Sequence, residues 1–555
     1  MVRTFKSNIL SYVLAASLVV SIGCNKEEKK ETAISETSPA KDQPLAKLAS
    51  PTETASSTEP LYSSLPKEIV AFFDIDFKGA AFERLLKSKW GSSYLAKTST
   101  LTTQMPDLAA VLSEAGIDMA NPAKLREQFS EALVFLSQPA QTEPHGGLIL
   151  KGISEAKTQE LFTAISEASK KRAGGVTASN PGEFTLLMTV NVPQGGPATD
   201  GLAQVKKVNL TGRLAGDRII VSDHPELIGR LVSPTDKFVS ADLNAAVASN
   251  KQTSIGVGYI DLKAMKENSK DKAGEDFPVK TAIISAQMSE HPSVQMKFIK
   301  EKSSVPSATT PTTKILLSSI PTGPLFYTVV EAGAIRSLAT ESSPKAQEVM
   351  NDTQFAFAKS ISQVAFGAKV SENSESMFPI PEIIISAQTS DPKGYMDAMF
   401  NAAIGAMKGY GMPAAAVDQQ IAGKSVRVLP GAMGVSLFAV DLGGVVVAAT
   451  SEPLIKGAIE GSTTATGESK VSALATEALT KPAVAKLYLS FPELAKLLRT
   501  ARSMASLAGA SQPGAGAQME AALSDENLKN LEDLGSLIGA VSSDNDAYKV
   551  DISYN

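Results

Sequence analysis

The chain has 555 residues, 43% of them hydrophobic, and its acidic and basic residues are interspersed to a formal net charge of −5. That balance lacks the basic face a nucleic-acid binder needs. With one cysteine and three histidines in the whole sequence, a disulfide framework and a cysteine-built zinc site are excluded.

The chain opens with Arg3 and Lys6, followed by the apolar segment "ILSYVLAASLVVSIG" and then by Cys24. A basic start, a short apolar run and small residues at its end describe a secretory signal. The run is shorter than the roughly 20 apolar residues that a membrane-spanning helix requires. Gly23-Cys24 at its end resembles the lipobox of bacterial lipoproteins, in which a diacylglyceryl group alkylates the cysteine and the signal is then removed. Ser21 stands where that family has leucine, with Val20 one step earlier. The resemblance implies that residues 1–23 are a lipoprotein signal peptide and that Cys24 is the lipidation site. An ordinary signal peptide cut near Gly23 is the alternative. A lone thiol suits an attachment point, because nothing remains in the chain for it to pair with. Two acyl chains, at about 0.8 kcal/mol per buried methylene, hold a protein on a bilayer where one chain does so only marginally.

Residues 24–60 are rich in Ser, Thr, Pro, Glu and Lys, and no aromatic residue occurs in 25–60. Such a stretch cannot bury enough apolar surface to offset its ordering entropy, so a disordered tether is expected there. Its mean reach is about 35 Å.

From Leu61 the composition becomes globular, over more residues than one hydrophobic core serves. An internal comparison sets "GDRIIVSDHPELIGRLV" (216–232) on "GGVVVAATSEPLIKGAI" (443–459) without a gap. In the same order, "SSLPKEIVAFF" (63–73) matches "SSIPTGPLFYT" (318–328), and "LILKGISEAK" (148–157) matches "IISAQTSDPK" (384–393). "YIDLKAM" (259–265) matches "YLSFPEL" (488–494), and "SEHPSVQMKF" (289–298) matches "SDNDAYKVDI" (543–552). The expectation is two tandem copies of one module, 61–303 and 318–555, joined by a linker at 304–317.

Within a copy, "EIVAFFDID" reads as a strand and "GAAFERLLKSKW" as a helix. "GGLILKGIS" is a strand feeding the helix "EAKTQELFTAISEASKK", where Leu161, Ile165 and Ala168 share a face. "EFTLLMTVNV", "KVNLTGRLAG" and "DRIIVSD" are strands separated by Gly and Asp turns, and "HPELIGRLV" is a short helix with proline in its first turn. A further strand and helix, "SIGVGYIDLKAM", and a hairpin, "TAIISAQMSEHPSVQMKFIK", close the unit. Runs of meandering strands with occasional helices predict an α+β fold, with an antiparallel or mixed sheet covered by helices on one face.

The duplicated layout, the "LP" before an apolar strand and the strand leading from Gly216 or Gly443 into a short proline-started helix resemble a family of duplicated extracytoplasmic bacterial proteins of unassigned function. That resemblance implies an exported, membrane-attached protein and brings no catalytic residue with it.

Motifs that suggest chemistry each lack a member. "IAGKSVRV" (421–428) holds the Gly-Lys-Ser of a phosphate loop, but Asp418 stands at the required first glycine, so a turn is expected. "FFDIDFKG" (72–79) offers Asp74 and Asp76, yet Lys78 occupies a calcium-ligand position, so a strand end with a capping aspartate is expected. His145, His224 and His291 each adjoin Pro or Gly and read as surface turn residues. No Gly-x-Ser-x-Gly elbow occurs. Catalytic, cofactor-binding and metal-binding residues are therefore expected to be absent, and the protein is expected not to be an enzyme.

The stretch 500–535 is rich in Ala, Gly and Met, and its centre "GASQPGAGA" is too Gly-rich to stay helical, so a mobile loop between two helices is expected there. The alternative is an adaptable apolar surface at 500–522, matched in character by the helix at 401–416. Taken together, the residues suggest a lipid-anchored protein of the bacterial cell envelope, periplasmic or outer-membrane, that binds or scaffolds an envelope protein without catalysis. A carrier or sensor of an apolar ligand such as a lipid is the alternative.

Overall fold

The computed structural model describes residues 60–88, 106–118, 121–138, 144–172, 182–192, 204–250, 252–268, 279–301, 316–317, 319–333, 359–371, 381–431, 435–463, 473–508, 523–544 and 546–554. Cys24 and the expected tether up to residue 59 lie outside them, as do residues 509–522.

The first part of the chain forms β1 (Ile69–Asp76), β2 (Phe129–Ser137), β3 (His145–Gly152), β4 (Glu183–Val192), β5 (Gln204–Ala215), β6 (Arg218–Ser222), β7 (Ser254–Asp261), β8 (Val279–Met288) and β9 (Pro292–Lys300). Its helices are α1 (Ala80–Lys87), α2 (Pro106–Glu114), α3 (Pro122–Gln128), α4 (Glu155–Arg172), α5 (Pro225–Val232), α6 (Ala241–Asn250) and α7 (Leu262–Asn268), with a 3-10 turn at Leu61–Ser64. The second part forms β10 (Phe326–Glu331), β11 (Ile361–Lys369), β12 (Glu382–Thr389), β13 (Val417–Ile421), β14 (Lys424–Leu429), β15 (Leu437–Asp441), β16 (Val445–Ala449), β17 (Ala485–Ser490), β18 (Ser536–Ser543) and β19 (Ala547–Tyr554). Helices α8 (Pro392–Gly409), α9 (Glu452–Thr463), α10 (Ala473–Thr480), α11 (Phe491–Ala508) and α12 (Asp525–Glu532) accompany them.

The fold is α+β, and all 19 strands belong to one sheet. Every pairing is antiparallel. At its middle β9 pairs with β19. Outward from β9 the order is β8, β7, β1, β2, β3, β6, β5, β4. Outward from β19 it is β18, β17, β10, β11, β12, β16, β15, β14, β13. Phe72 faces Tyr259 in one half and Tyr327 faces Tyr488 in the other. The strands β6 and β16 occupy corresponding stretches of the aligned sequence, each following a glycine in the left-handed region, Gly216 at φ 61° and Gly443 at φ 82°. A side chain at either position would strain the turn.

Two matches need correction. Tyr259 faces Ile283 and Ile283 faces Lys297, whereas Tyr488 faces Ile538 and Ile538 faces Ser553, so Lys297 corresponds to Ser553 and the match of 289–298 with 543–552 is two residues out of register. Gly147 faces Ser222, whereas Ile384 faces Ala449. Ser222 and Ala449 correspond, so Gly147 corresponds to Ile384, and the ungapped match of 148–157 with 384–393 is one residue out of register. Helix starts agree with the shifted register: Ser154 Oγ accepts from the Lys157 N–H at 3.2 Å and Asp391 Oδ1 from the Gly394 N–H at 3.0 Å. Consecutive isoleucines at 383–385 offer no apolar alternation to fix register.

Helices cover both faces of the first half, not one. Leu61, Tyr62 and Leu65, with Leu227, Ile228 and Leu231 of α5 and Leu243 of α6, pack on Phe72, Leu133, Ile149, Ile220 and Val257. On the opposite face Ala81 and Phe82 of α1, Val111 and Leu112 of α2, and Leu161, Phe162, Ile165 and Ala168 of α4 pack on Phe73, Leu150 and Ile219. The cause lies in the strands. Phe72 and Phe73 are adjacent, so they point to opposite sides, and both sides need cover. In the second half α9 and α10 lie on one face, over Ile384, Val445 and Val447. On the other face, Phe400 of α8 packs on Leu429, Ala439 and Ala448.

Candidate functional site

His145 and His224, distant in sequence, meet at one corner of the first half. His145 begins β3 opposite Ser137. Asp223 and His224 form the link from β6 into α5, with His224 at the N-cap position and making no side-chain capping bond. Asp223 fastens the two segments together. The Gly146 N–H donates to its Oδ1 at 3.0 Å, and its own N–H donates to the Gly146 carbonyl at 3.2 Å. Ser222 Oγ donates to the same carbonyl at 3.0 Å and accepts from the His224 N–H at 3.2 Å.

This stitching brings the imidazoles edge to face, with ring centroids 4.2 Å apart. His145 Nδ1 lies 3.6 Å from Asp223 Oδ1. Burial raises the Asp223 carboxyl above its ordinary value, against the opposing pull of His145, the Gly146 N–H and His224. His224 Nδ1 is buried and has no hydrogen-bond partner.

The matching corner of the second half keeps the backbone stitching and replaces the chemistry. The Ile383 N–H donates to Thr450 Oγ1 at 2.8 Å, and the Thr450 N–H donates to the Ile383 carbonyl at 3.0 Å. Glu382 stands where His145 does and Ser451 where His224 does. Glu382 accepts from Ser451 Oγ at 3.0 Å and from Ser371 Oγ at 3.1 Å. Lys369 Nζ is 3.9 Å from the same carboxylate.

A second polar group lies within the strands beside the 3-10 turn. Asp74 is 5% exposed, and its Oδ1 has no partner. Burial and the neighbouring Glu131 and Asp76 carboxylates hold Asp74 well above the usual range, while the Tyr62 N–H and Lys151 pull downward. Lys151 Nζ bonds Glu131 Oε2 at 2.9 Å. In the second half, Gln363 Nε2 donates to Glu331 Oε1 at 3.0 Å, and Lys486 Nζ donates to the Leu479 carbonyl at 3.0 Å. Burial lowers the Lys486 ammonium to about 8, with Glu331 opposing.

His291 stays apart, in the loop between β8 and β9. Gly423, Lys424 and Ser425 lie in the β13–β14 hairpin, whose turn residues Ala422 and Gly423 have φ 48° and 75°. These positive values suit a two-residue hairpin turn. Asp76 Oδ1 accepts from the Lys78 and Gly79 N–H groups at 2.9 and 2.8 Å, which holds the loop just before α1. Among the described residues, no group of three or more His, Cys, Asp or Glu side chains is arranged to hold a metal ion. No described helix is long and apolar enough to cross a membrane.

The helix expected over 401–416 ends at Gly409. Gly411, at φ 73°, donates to the Lys408 carbonyl at 2.9 Å and Met412 donates to the Met407 carbonyl at 3.0 Å, the 5→2 and 6→1 bonds of a Schellman cap. Tyr410 at this cap is 81% exposed. Asp74 and Lys151 stand out in the sequence as polar residues within apolar strands, whereas Lys486 does not, because Ala485, Leu487 and Leu489 alternate on the opposite face. The histidine corner had no local signal.

No family model matches the sequence, and no curated protein matches it. Among solved structures, that of TP0453, a bacterial protein, in its crystal form III is similar at 11% identity, covering 45% of this chain and 82% of that one, with a TM-score of 0.23. A likeness of that size carries no argument about fold or function.

Proposed function

We propose that this chain is an extracytoplasmic lipoprotein of the bacterial envelope, anchored through Cys24, that presents two copies of one module to a protein partner without catalysis. The observation that carries the reading is the β9–β19 pairing, which makes one continuous platform of two halves with like strand order. Two linked copies offer two surfaces at high effective concentration. The position of Leu61 supports the tethered arrangement, because the chain enters the core at once after the polar stretch ending at residue 60. Tyr410, exposed at the C-cap of α8, is the contact residue we select.

The test has two arms. Labelled fatty acid should enter the wild-type protein, and Cys24→Ser should abolish labelling and release the chain from membranes; unchanged labelling in the variant defeats the anchor. Native mass spectrometry of protein purified in mild detergent should show a bound protein partner that Tyr410→Ala weakens. Stoichiometric lipid in place of a protein favours an apolar-ligand carrier and overturns the scaffold reading.

A further inference from the structure

We propose that the His145–Asp223–His224 corner is an acid-triggered release for the N-terminus of α5, present in the first half of the chain and absent from the second. Three observations carry this inference, and none depends on the binding reading.

The first is proximity. Two imidazoles with centroids 4.2 Å apart share one nearby carboxylate, Asp223. Histidine takes up its proton near neutral pH, so acid adds up to two positive charges here. The first proton is matched by Asp223. The second has no carboxylate of its own, and it meets a like charge across the ring contact.

The second is placement. His224 occupies the N-cap position of α5, where the helix presents the positive end of its dipole. A cation there is disfavoured, and the buried Nδ1 has no acceptor to stabilise a new N–H. Along α5 itself the charges are Glu226, in the first turn, and Arg230, in the last, which is engaged with Glu68 at 3.0 Å. Ser137, opposite His145 on β2, is uncharged.

The third is the internal control. Glu382, Thr450 and Ser451 hold the matching corner without histidine, and Glu382 is bonded to two serine hydroxyls. That corner carries no imidazole to take up a proton. Protonation of the first corner separates the rings, loosens the Ser222–His224 link and frees the first turn of α5, which otherwise holds Leu227 and Ile228 in the core.

Amide hydrogen exchange on the full chain tests this, with rates corrected for intrinsic chemistry at pH 7.5 and 5.0. Protection over 222–232 should fall at least tenfold at the lower pH, while 449–459 keeps its protection. In a His145→Gln, His224→Gln double variant the loss should vanish. Asp223→Asn, which keeps an acceptor for Gly146 but removes the counter-charge, should deepen it. A loss shared equally by both halves, a loss that persists in the double variant, or unchanged protection overturns the proposal. A measurement on the wild type guards against a variant that does not fold. By NMR the two paired imidazoles should titrate in two separated steps, and a single shared step refutes the coupling.

Discussion

Met296 on β9 and Val550 on β19 face each other across the join between the two halves. The sequence comparison sets the same two residues on one another, whereas counting strand by strand across the ladders sets Gln295 on Asp551, the neighbouring pair of the same ladder. The ladder around them runs from Ser293–Ser553 to Ile299–Ala547. Since β19 lies between β9 and β18, its N–H groups serve one ladder or the other. Val550→Pro should therefore break a ladder bond inside the sheet. Calorimetry of the wild type should show one cooperative transition spanning both halves. The variant should show two, and a variant that still melts in one step argues against the join as the coupling element.

Leu227 and Leu454 occupy corresponding places beneath the sheet, at 1% and 6% exposure. Each packs from a short helix on the inward side chains of the strand before it. Truncation of either to alanine leaves a cavity costing about 2–5 kcal/mol. Urea unfolding should give losses of similar size for both variants, and a negligible loss for one of them would mean that its site collapses or is not core.

Asp74 gives a pH dependence with a definite sign. Its carboxyl is held well above the ordinary 3.8, so the native state keeps a proton that the unfolded chain releases. The stability this provides is full below about pH 3.8 and is lost as pH rises through the raised native value. Asp74→Asn mimics the protonated form and does not ionise. The variant should gain stability relative to wild type as pH rises from acid to neutral, read as the difference in denaturation midpoint. A constant difference across that range contradicts the assignment.

Lys486 titrates in the opposite sense. Burial lowers its ammonium from 10.5 to about 8, so between those values the unfolded chain binds the extra proton. The penalty of a buried cation is present below about pH 8, and stability rises with pH from there toward 10.5. Lys486→Met should remove that rise while filling the same space. Thermal melts of wild type and variant at pH 7.5 and 9.5 compare the two slopes, and parallel slopes count against the shift.

Much of the fold was legible because it is local. Short apolar runs marked β1 and β8 and apolar alternation marked β7, the glycines at 216 and 443 marked their turns, and the proline after His224 marked the start of α5. Leu161, Ile165 and Ala168 share the buried face of α4 because helical spacing puts them there. Cover on both faces of the sheet was not drawn from the sequence, although adjacent Phe72 and Phe73 imply it. Three decisions belong to the tertiary structure alone. Edge pairing of β9 with β19 uses backbone groups that every residue carries, so side-chain pattern cannot name the partner strand. The one-residue register of β12 depends on ladder bonds where three isoleucines in a row remove the alternation. The meeting of His145 with His224 depends on β3 lying beside β6, a neighbour relation between segments separated by a helix and two strands. The sequence shows two histidines beside glycine and proline, and only the closed sheet places their rings in contact around one carboxylate.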